Sequence, residues 1–525
     1  MAAQVAATDI IIGIDAGTSV IKAVAFDLSG RQLQTAAIPN RYSTTAEGAA
    51  TQSLPQTWAD CAKALRDLGE KVPGLAARTA AIAVTGQGDG TWLVGRNNEP
   101  VADAWLWLDA RAAATVDRLS NSSANRARFE ATGTGLNTCQ QGSQLAHMKA
   151  TTPELLAKAA AALHCKDWLY LNLTGVRATD PSEASFTFGN FRNRQYDDAV
   201  ITALGLNEQR HLLPPIIDGS ETTHPLSAPA AAATGLRAGT PVVLGFVDMA
   251  MTALGAGVYT GDKDAACSVI GSTGVHMRAV TSEDVFLNAE CTGYVIPLPA
   301  HNIVTQVQTN MAATLNLDWV LRLGQQVLKD FGQEASHGDM VKQVDRWLAQ
   351  TRPGTLLYHP YISEAGERGP FVDASARASF TGLSSTHGYA DLVRSVIEGL
   401  GLAMHDCYAM MGGMPKELRI TGGAARSGAL RQIIAASVNA PVRVSSREEA
   451  GAAGAAMMAA VAIKAYPNME ACISEWVTPL LGAAEKPEPA NAAHYAQLFE
   501  IYRDTRQQLA PMWKRLAAAR SSSAN

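Results

Sequence analysis

The chain has few charged and few aromatic residues, and it lacks the patterns that identify several classes of protein. Charged residues make up 17% and aromatic residues 6% of its 525 residues, and the formal net charge is -5. No basic stripe interleaved with aromatic residues is present, which argues against a broad nucleic-acid-binding surface. The seven cysteines are scattered and form no Cys-x-x-Cys pair, so we expect reduced thiols and no structural zinc site.

Long apolar runs are also missing, because the Ala-rich stretches are broken by Gly and charged residues before they reach membrane-spanning length. The apolar run near residue 10 has the length of a strand and no basic region before it, so a signal peptide is not expected. We therefore expect a cytoplasmic protein whose partners include neither a membrane nor a nucleic acid. The length predicts two or three domains.

A strand–turn–strand pattern opens each half of the chain. The first copy has the turn Gly-Thr-Ser at residues 17–19, and the second has Gly-Ser-Thr-Gly at residues 271–274. Such a turn presents backbone N–H groups and hydroxyls, which can hold a phosphate. The duplication predicts two related domains that close on a nucleotide between them.

Asp15 lies at the end of the first of these strands. A carboxylate there can orient a magnesium ion through water while the turn binds the β- and γ-phosphates. Alternatively, Asp15 stabilises its own tight turn, as Asp residues often do. The second hairpin of the same kind favours the phosphate interpretation.

Asp248 follows the apolar strand at residues 241–246 and precedes an apolar helix that ends at Gly257. Its carboxylate either caps that helix or faces the cleft between the domains as a general base, and position alone favours neither. Residues 421–424, Thr-Gly-Gly-Ala, form a glycine-rich turn between a strand and a helix. This turn either accommodates an adenine or ribose against bare backbone or allows close packing of the helix on the strand.

Several polar side chains lie at strand ends or helix starts of the first half. Carboxylates, an amide, a guanidinium and one indole together suit a polyhydroxylated substrate, because hydroxyls need both donors and acceptors. Each of them also has a simpler interpretation as a solvated surface group or a helix cap. The set consists of Gln87, Asp89, Trp107, Asp109, Arg111 and Asp167.

Over about residues 10–463 the chain resembles the FGGY family of carbohydrate kinases. The motifs that carry the resemblance are Ala-Ser-Phe-Thr-Gly-Leu at 378–383, the acidic-aliphatic segment 391–399, Gly-Glu-Arg-Gly-Pro at 366–370, and Leu-Thr-Gly at 173–175 with Thr-Asp-Pro-Ser-Glu-Ala-Ser at 179–185. In the third of these Gly369 stands where the family has threonine.

The resemblance implies an α/β fold of two actin-like (ribonuclease-H-like) ATPase domains with a central cleft. We expect an N-terminal domain at residues 1–258, a C-terminal domain at 259–470, and peripheral helices and a tail at 471–525. It also implies ATP and Mg²⁺ as cofactors and a small polyol or sugar as the partner. The oligomeric state stays open, a homodimer being one option.

By the same resemblance Asp248 becomes the catalytic base and a substrate contact, and Asp15 the magnesium site. The residues implied to contact ATP and its phosphates are Asp15, Gly17, Thr18, Ser19, Lys22, Gly271, Ser272, Thr273, Gly422, Gly423, Ala424 and Ser427. Those implied to contact the substrate are Gln87, Gly88, Asp89, Trp107, Asp109, Arg111, Asp167 and Asp248.

The substrate pocket distinguishes branches of the family. Kinases of ketopentoses carry Met-His after the glutamine and glycerol kinases carry Arg-Glu, whereas this chain has Gly88-Asp89. Residues 85–92, 164–170 and 211–215 look most like the erythritol kinase branch, which implies phosphorylation of a terminal hydroxyl of a four-carbon polyol. The alternatives are a kinase of a ketopentose or sugar acid, an actin-like ATPase that is not a kinase, and a sugar-binding regulator derived from a kinase.

Overall fold

The computed structural model describes residues 9–261 and 265–523. Two six-stranded sheets form the centres of the two halves. The strands of the first sheet, in spatial order, are His224–Pro225, Pro241–Leu244, Thr79–Gly86, Ile10–Ala16, Val20–Asp27 and Gln32–Pro39. Those of the second sheet are Tyr294–Pro297, Ile303–Asn310, Gly274–Thr281, Ala265–Ile270, Glu417–Thr421 and Val442–Val444.

The two sheets share one core topology. In each, the opening strand pairs antiparallel with the next strand through the predicted hairpin, and that strand pairs antiparallel with a third. On its other side the opening strand is parallel to a fourth strand, which is parallel to a fifth. The same order and directions in both halves confirm the predicted duplication.

Helices pack on these sheets, and each half also contains short strands outside the two large sheets. The helices of the first half are Leu54–Lys71, Leu75–Arg78, Ala113–Ser120, Asn125–Thr132, Gln141–Thr151, Pro153–Lys158, Cys165–Thr174, Pro181–Phe188, Asp198–Ala203, Ala228–Thr234 and Asp248–Ala256. Those of the second half are Thr314–Asp330, His337–Gln350, Tyr389–Ala409, Gly428–Val438, Ala450–Ala462, Met469–Trp476 and Pro489–Ser523.

The short 3₁₀ helices are Asn207–Leu212, Ser282–Asp284, Gly423–Arg426 and Thr478–Leu480. The remaining short strands are Ser43–Thr44, Ala50–Gln52, Ala104–Trp105, Trp92–Val94, Ala161–Leu163, Gly189–Asn190, Gln195–Tyr196, Leu357–His359 and Ser379–Thr381. Within the described ranges, no helix combines the length and the apolar character that crossing a membrane requires.

Two small-residue helices, Asp248–Ala256 and Ala450–Ala462, join the halves through backbone contacts. A Cβ atom added to Gly255 would lie 2.1 Å from the Ala450 carbonyl oxygen, and one on Gly13 would lie 2.1 Å from that of Ala452. Only glycine permits such an approach. Gly255 therefore brings the helix Ala450–Ala462 against the helix Asp248–Ala256, and Gly13 brings it against the first sheet. The pair occupies the largest buried apolar cluster, which contains residues of both halves.

The segment after residue 470 forms helices, as predicted, but its last helix has a buried face. Tyr495 and Tyr502 are 1% and 0% exposed, and Phe499 and Trp513 are buried beside them. Their helical spacing is a signal of packing that the sequence analysis did not use. The helix also continues through residues 521–523, where the Ser run predicted a tail.

Candidate active site

A cavity of about 300 Å³ lies between the two halves of the chain. Six of the residues predicted from the sequence line it: Thr18, Gly88, Asp89, Trp107, Asp248 and Thr273. Thr18, Gly88, Asp89 and Asp248 lie beyond the carboxyl ends of the parallel strands Ile10–Ala16, Thr79–Gly86 and Pro241–Leu244, whereas Trp107 lies in the loop after the short strand Ala104–Trp105. Open α/β sheets bind their ligands at this edge.

Asp248 is the first residue of its helix, and its carboxylate lines the cavity. Its Oδ1 accepts the Met249 N–H at 2.7 Å, and the backbone N–H of Gly88 also donates to its carboxylate. The Val247 N–H donates to Ser182 Oγ at 3.0 Å, which fixes the backbone before the carboxylate. Asp248 bonds the N–H of the next residue rather than one further along the first turn, so its geometry differs from an ordinary helix cap.

The electrostatic environment of Asp248 suits a group that accepts a proton near neutral pH. Burial, together with the carboxylates of Asp15 and Asp89, raises the pKa of Asp248 to about 7. Burial also raises the pKa of Asp15 to about 6, although Lys22 opposes the shift. A buried carboxylate whose pKa is raised further by a second carboxylate in a cleft is typical of a catalytic or cation-binding site.

Thr18 is held in the turn by a chain of side-chain hydrogen bonds. The Trp107 indole donates to Thr18 Oγ1 at 2.8 Å, and Thr18 Oγ1 donates to Gln87 Oε1 at 2.9 Å. Gln87 Nε2 in turn donates to Gln52 Oε1 at 2.7 Å. Gln87 therefore lies buried behind the turn, where it positions Thr18 and does not line the cavity.

Asp89 presents a carboxylate with a vacant acceptor. Its backbone has a φ of 56°, in the left-handed region that few non-glycine residues adopt. Oδ2 accepts from Cys139 Sγ at 3.3 Å and from the Tyr294 hydroxyl at 3.4 Å, whereas Oδ1 is buried without a hydrogen-bond partner in the described part of the chain. A buried acceptor of this kind, at the wall of a cavity, suits a ligand hydroxyl.

Asp109 and Arg111 form an ion pair away from the cavity. The Arg111 guanidinium donates to both carboxylate oxygens of Asp109, at 3.0 Å from Nε and 2.6 Å from one terminal nitrogen. Asp109 also accepts the Ala50 N–H at 2.9 Å, and the guanidinium lies 3.4 Å from the centre of the Trp105 ring. The pair thus holds the loop that carries Trp107.

Asp167 belongs to a buried cluster of charged residues below the cavity. Lys166 Nζ lies 2.7 Å from Asp167 Oδ1 and 2.5 Å from Asp180 Oδ2, and all three side chains are fully buried. His164 lies 3.0 Å from Asp167 and 3.4 Å from Glu183. Burial alone would raise the pKa of Asp167, but Lys166 and His164 hold it well below its ordinary value. Asp167 therefore belongs to this buried cluster and does not line the cavity.

The predicted nucleotide contacts at residues 422–427 follow the strand Glu417–Thr421, which is parallel to the first strand of the second hairpin. A Cβ on Gly422, whose φ is 99°, would lie 2.5 Å from the carbonyl oxygen of Ile270, the residue before Gly271. Gly423 faces open space, and the side chain of Ala424 lies outside the described residues. Ser427 caps the helix Gly428–Val438 through the Leu430 N–H at 3.2 Å. The structure thus brings the glycine turn to the end of the strand Ala265–Ile270.

Within the two hairpins, the predicted residues take different positions. Ser19 and Ser272 are exposed, and the carbonyls of Gly271 and Ser272 accept N–H groups at the start of the helix Thr314–Asp330. Gly17 is held by Asn40, whose side chain donates to its carbonyl at 2.9 Å. Lys22 pairs with Glu449 at 2.8 Å, so it links the two halves.

The cavity residues that were not singled out as site residues from the sequence include Asn137, Cys139, Tyr294, Gln308, Asn310 and Arg368. Four of them belong to the second half, which shows that both halves build the cavity. Gln308 and Asn310 alternate along the strand Ile303–Asn310, and buried polar residues at every second position were an available signal. Arg368 belongs to the Gly-Glu-Arg-Gly-Pro motif at residues 366–370, which supported the family resemblance but did not indicate a role for the arginine.

Comparisons with known proteins agree with this architecture. Residues 10–255 match the N-terminal domain, and residues 266–463 the C-terminal domain, of the FGGY family of carbohydrate kinases. The chain is 70% identical to a protein of Brucella abortus named erythritol kinase, over 98% of both chains. It is 26% identical to a Bacillus subtilis protein named xylulose kinase, over 94% of this chain and 96% of that one.

A solved structure of ligand-bound xylulose kinase from Lactobacillus acidophilus has the same fold. It superposes with a TM-score of 0.86 and covers 97% of this chain and all of its own, at 21% sequence identity. The two-domain architecture predicted from the sequence is therefore confirmed.

Proposed function

Because the chain belongs to the FGGY family of carbohydrate kinases, and is thus a kinase that uses ATP, we propose that it phosphorylates a terminal hydroxyl of erythritol. The observation that carries this choice of substrate is the 70% identity to the Brucella abortus erythritol kinase over nearly the whole chain. The cavity is consistent with it, since Asp89 offers a buried acceptor to a hydroxyl.

In the proposed reaction Asp248 accepts the proton of the attacking hydroxyl as the γ-phosphoryl group is transferred in line. The turns that carry Thr18 and Thr273 bind the phosphates from opposite sides, since both hydroxyl residues line the same cavity. The Gly422–Gly423 turn receives the adenosine. The buried setting of the cleft between the halves limits the access of water, and with it the hydrolysis of ATP.

We also propose that Mg²⁺ accompanies ATP and is held by Asp15 through water. The oxygen ligands of Asp15 and its neighbour Asp248 suit this cation, which in kinases is bound by one or two carboxylates and by the phosphates. Among the residues that the structure describes, no group of three or more His, Cys, Asp or Glu side chains forms a metal cage. This donor set therefore fits a magnesium ion that arrives with the nucleotide, where it would neutralise phosphate charge.

We further propose a cytoplasmic location and a division into domains at residues 1–258, 259–470 and 471–525. The seven cysteines are all free, which suits a reducing compartment. Each of the two six-stranded sheets lies within one of the first two ranges.

The test of the function is a coupled ADP-release assay with ATP and Mg²⁺ over a panel of acceptors: erythritol, glycerol, threitol, ribitol, xylitol, xylulose, ribulose and gulonate. We expect the largest kcat/KM with erythritol. A preference for a ketose or a sugar acid would contradict the proposed substrate but not the kinase activity. Steady release of ADP that no acceptor changes would favour an ATPase that is not a kinase.

The pH dependence provides a second test of the proposed base. We expect kcat/KM for erythritol, measured with both substrates below saturation, to fall as the pH drops through about 7, because the raised pKa of Asp248 leaves it protonated there. Asp89 contributes to that shift, so the Asp89→Asn protein should keep the acid limb but show it at lower pH. A limb that stays in place in this variant would contradict the electrostatic coupling of the two carboxylates.

A further inference from the structure

Arg368 enters the cavity from a segment that is firmly attached to the second sheet. The carboxylate of Glu367 accepts the N–H groups of Met311 and Arg368, both at 2.9 Å. Asn310 donates to the carbonyl of Gly369 at 3.0 Å. These bonds hold the backbone on both sides of Arg368, so its side chain projects from a fixed stretch of backbone.

The guanidinium of Arg368 is half-buried and lines the cavity, yet its side chain makes no hydrogen bond or ion pair within residues 9–261 and 265–523. A cation in a partly desolvated cleft is costly unless a partner satisfies it. The nearby carboxylate of Asp89 interacts with it electrostatically, since Arg368 lowers the pKa that burial raises in Asp89. The N–H groups of Arg368 are therefore available to a hydrogen-bond acceptor of a ligand that binds in the cavity near Asp89.

Two acceptors in the same cavity are also vacant. Asp89 Oδ1 and Gln308 Oε1 are buried and have no hydrogen-bond partner among the described residues. Gln308 uses its amide nitrogen toward Thr292, at 3.2 Å from both the carbonyl and the hydroxyl oxygen, so its oxygen stays available. The cavity thus offers the donors of Arg368 and the acceptor oxygens of Asp89 and Gln308. This combination suits hydroxyl groups, each of which donates one hydrogen bond and accepts others.

The charged groups at the cleft interact with one another in pairs. Asp248 interacts electrostatically with Asp15 and with Asp89, and Asp89 interacts with Arg368. With the reacting hydroxyl at Asp248 and the phosphates near Asp15, we expect a bound acceptor to extend from Asp248 toward Asp89 and Arg368, which line the same cavity.

We propose that Arg368, a residue of the second half, is a specificity-determining residue that donates to the hydroxyl at the end of the polyol remote from the transferred phosphoryl group. This inference rests on the proposed function and adds to it that residues of both halves contact the substrate. On this proposal a three-carbon polyol bound at Asp248 is expected to end before it reaches Arg368, whereas a four-carbon polyol is expected to reach it. Arg368 would thereby favour the longer acceptor.

The experiment compares Arg368→Met and Arg368→Lys with the unaltered protein, using erythritol and glycerol as acceptors. We expect Arg368→Met to lower kcat/KM for erythritol by about 10- to 100-fold, the range of a charge-assisted hydrogen bond. The value for glycerol and the KM for ATP should change little. Arg368→Lys should lose less, because it keeps the charge but not the planar fork of donors.

Arg377→Met is the matched control, since Arg377 lies nearby in the chain but bonds to the carbonyls of Glu364, Ala374 and Ala376. Thermal unfolding of each variant verifies that it is folded. Equal losses with both acceptors, or a raised KM for ATP, would assign Arg368 to the phosphates and overturn the inference, as would an unchanged kcat/KM for erythritol. If the unaltered protein does not phosphorylate erythritol, the proposed function itself fails, an outcome seen before any variant is compared.

Discussion

The Asp248→Asn protein is expected to lose about 10²- to 10⁴-fold in kcat, the usual contribution of a general base, and to bind ATP as the unaltered protein does. Asparagine has the same shape and its oxygen can still accept the Met249 N–H, so the loop keeps this anchor. What the amide cannot do is take the proton of the attacking hydroxyl. The measurements are turnover in the coupled assay and ATP binding by calorimetry.

The control for this variant is Asp198→Asn, the same change at the first residue of the exposed helix Asp198–Ala203. Its side chain is 92% exposed, so the replacement should leave both turnover and ATP binding unchanged. A near-normal rate in Asp248→Asn would remove Asp248 from the role of base. Loss of ATP binding together with turnover would instead indicate damage to the cleft.

Replacing Lys166 with Met is expected to lower the free energy of unfolding by about 3–5 kcal/mol, the cost of leaving buried charges without their partner. Lys166 is the cation between the fully buried carboxylates of Asp167 and Asp180. Burial by itself would lower the pKa of Lys166, yet the carboxylates around it raise that pKa above its ordinary value, so the charge is present at every pH at which the protein is handled. The midpoint of urea unfolding, followed by tryptophan fluorescence, reports the loss.

Lys149→Met serves for comparison, because Lys149 is partly exposed and its ion pair with Glu208 lies at the surface. Such a pair contributes at most about 1 kcal/mol, so this midpoint should move little. An unfolding midpoint in Lys166→Met equal to that of Lys149→Met would show that the buried cluster does not need its cation. Failure of Lys166→Met to accumulate in folded form, while Lys149→Met does, would agree with the expected loss.

The elements that the sequence predicts best are those whose signal is local. The two hairpins are recognisable because strand periodicity stops at Gly and hydroxyl residues and then resumes, which depends on neighbours alone. The strand Glu417–Thr421 ends where the glycine-rich turn is predicted, and the helix Asp248–Ala256 ends at the predicted glycine. The local pattern places Asp248 between a buried strand and a helix, but by itself it left open whether the carboxylate faces the cleft; the structure places it at the cavity.

Polar residues at strand ends were harder to assign, because the sequence does not indicate their partners. Asp89 and Asp109 have the same chemistry and similar settings in the sequence, but Asp109 is paired with Arg111 whereas Asp89 faces the cavity with one oxygen vacant. Asp167 was expected to contact substrate and instead lies in a cluster with Lys166. Each outcome depends on side chains that approach from other elements of the fold.

Periodicity, turn chemistry and family motifs in the sequence were enough to establish a duplicated α/β kinase with its hairpins and its candidate base, since each of these depends on residues close in the chain. Which residues each half contributes to the cavity was seen only in the folded structure. Arg368 and Gln308 reach the cavity only because the second half packs against the first, through contacts such as that of Gly13 in the first sheet with Ala452 in the helix Ala450–Ala462. Contacts between residues hundreds of positions apart leave no periodic signal in one sequence, so the part of the site built by the second half became visible only in three dimensions.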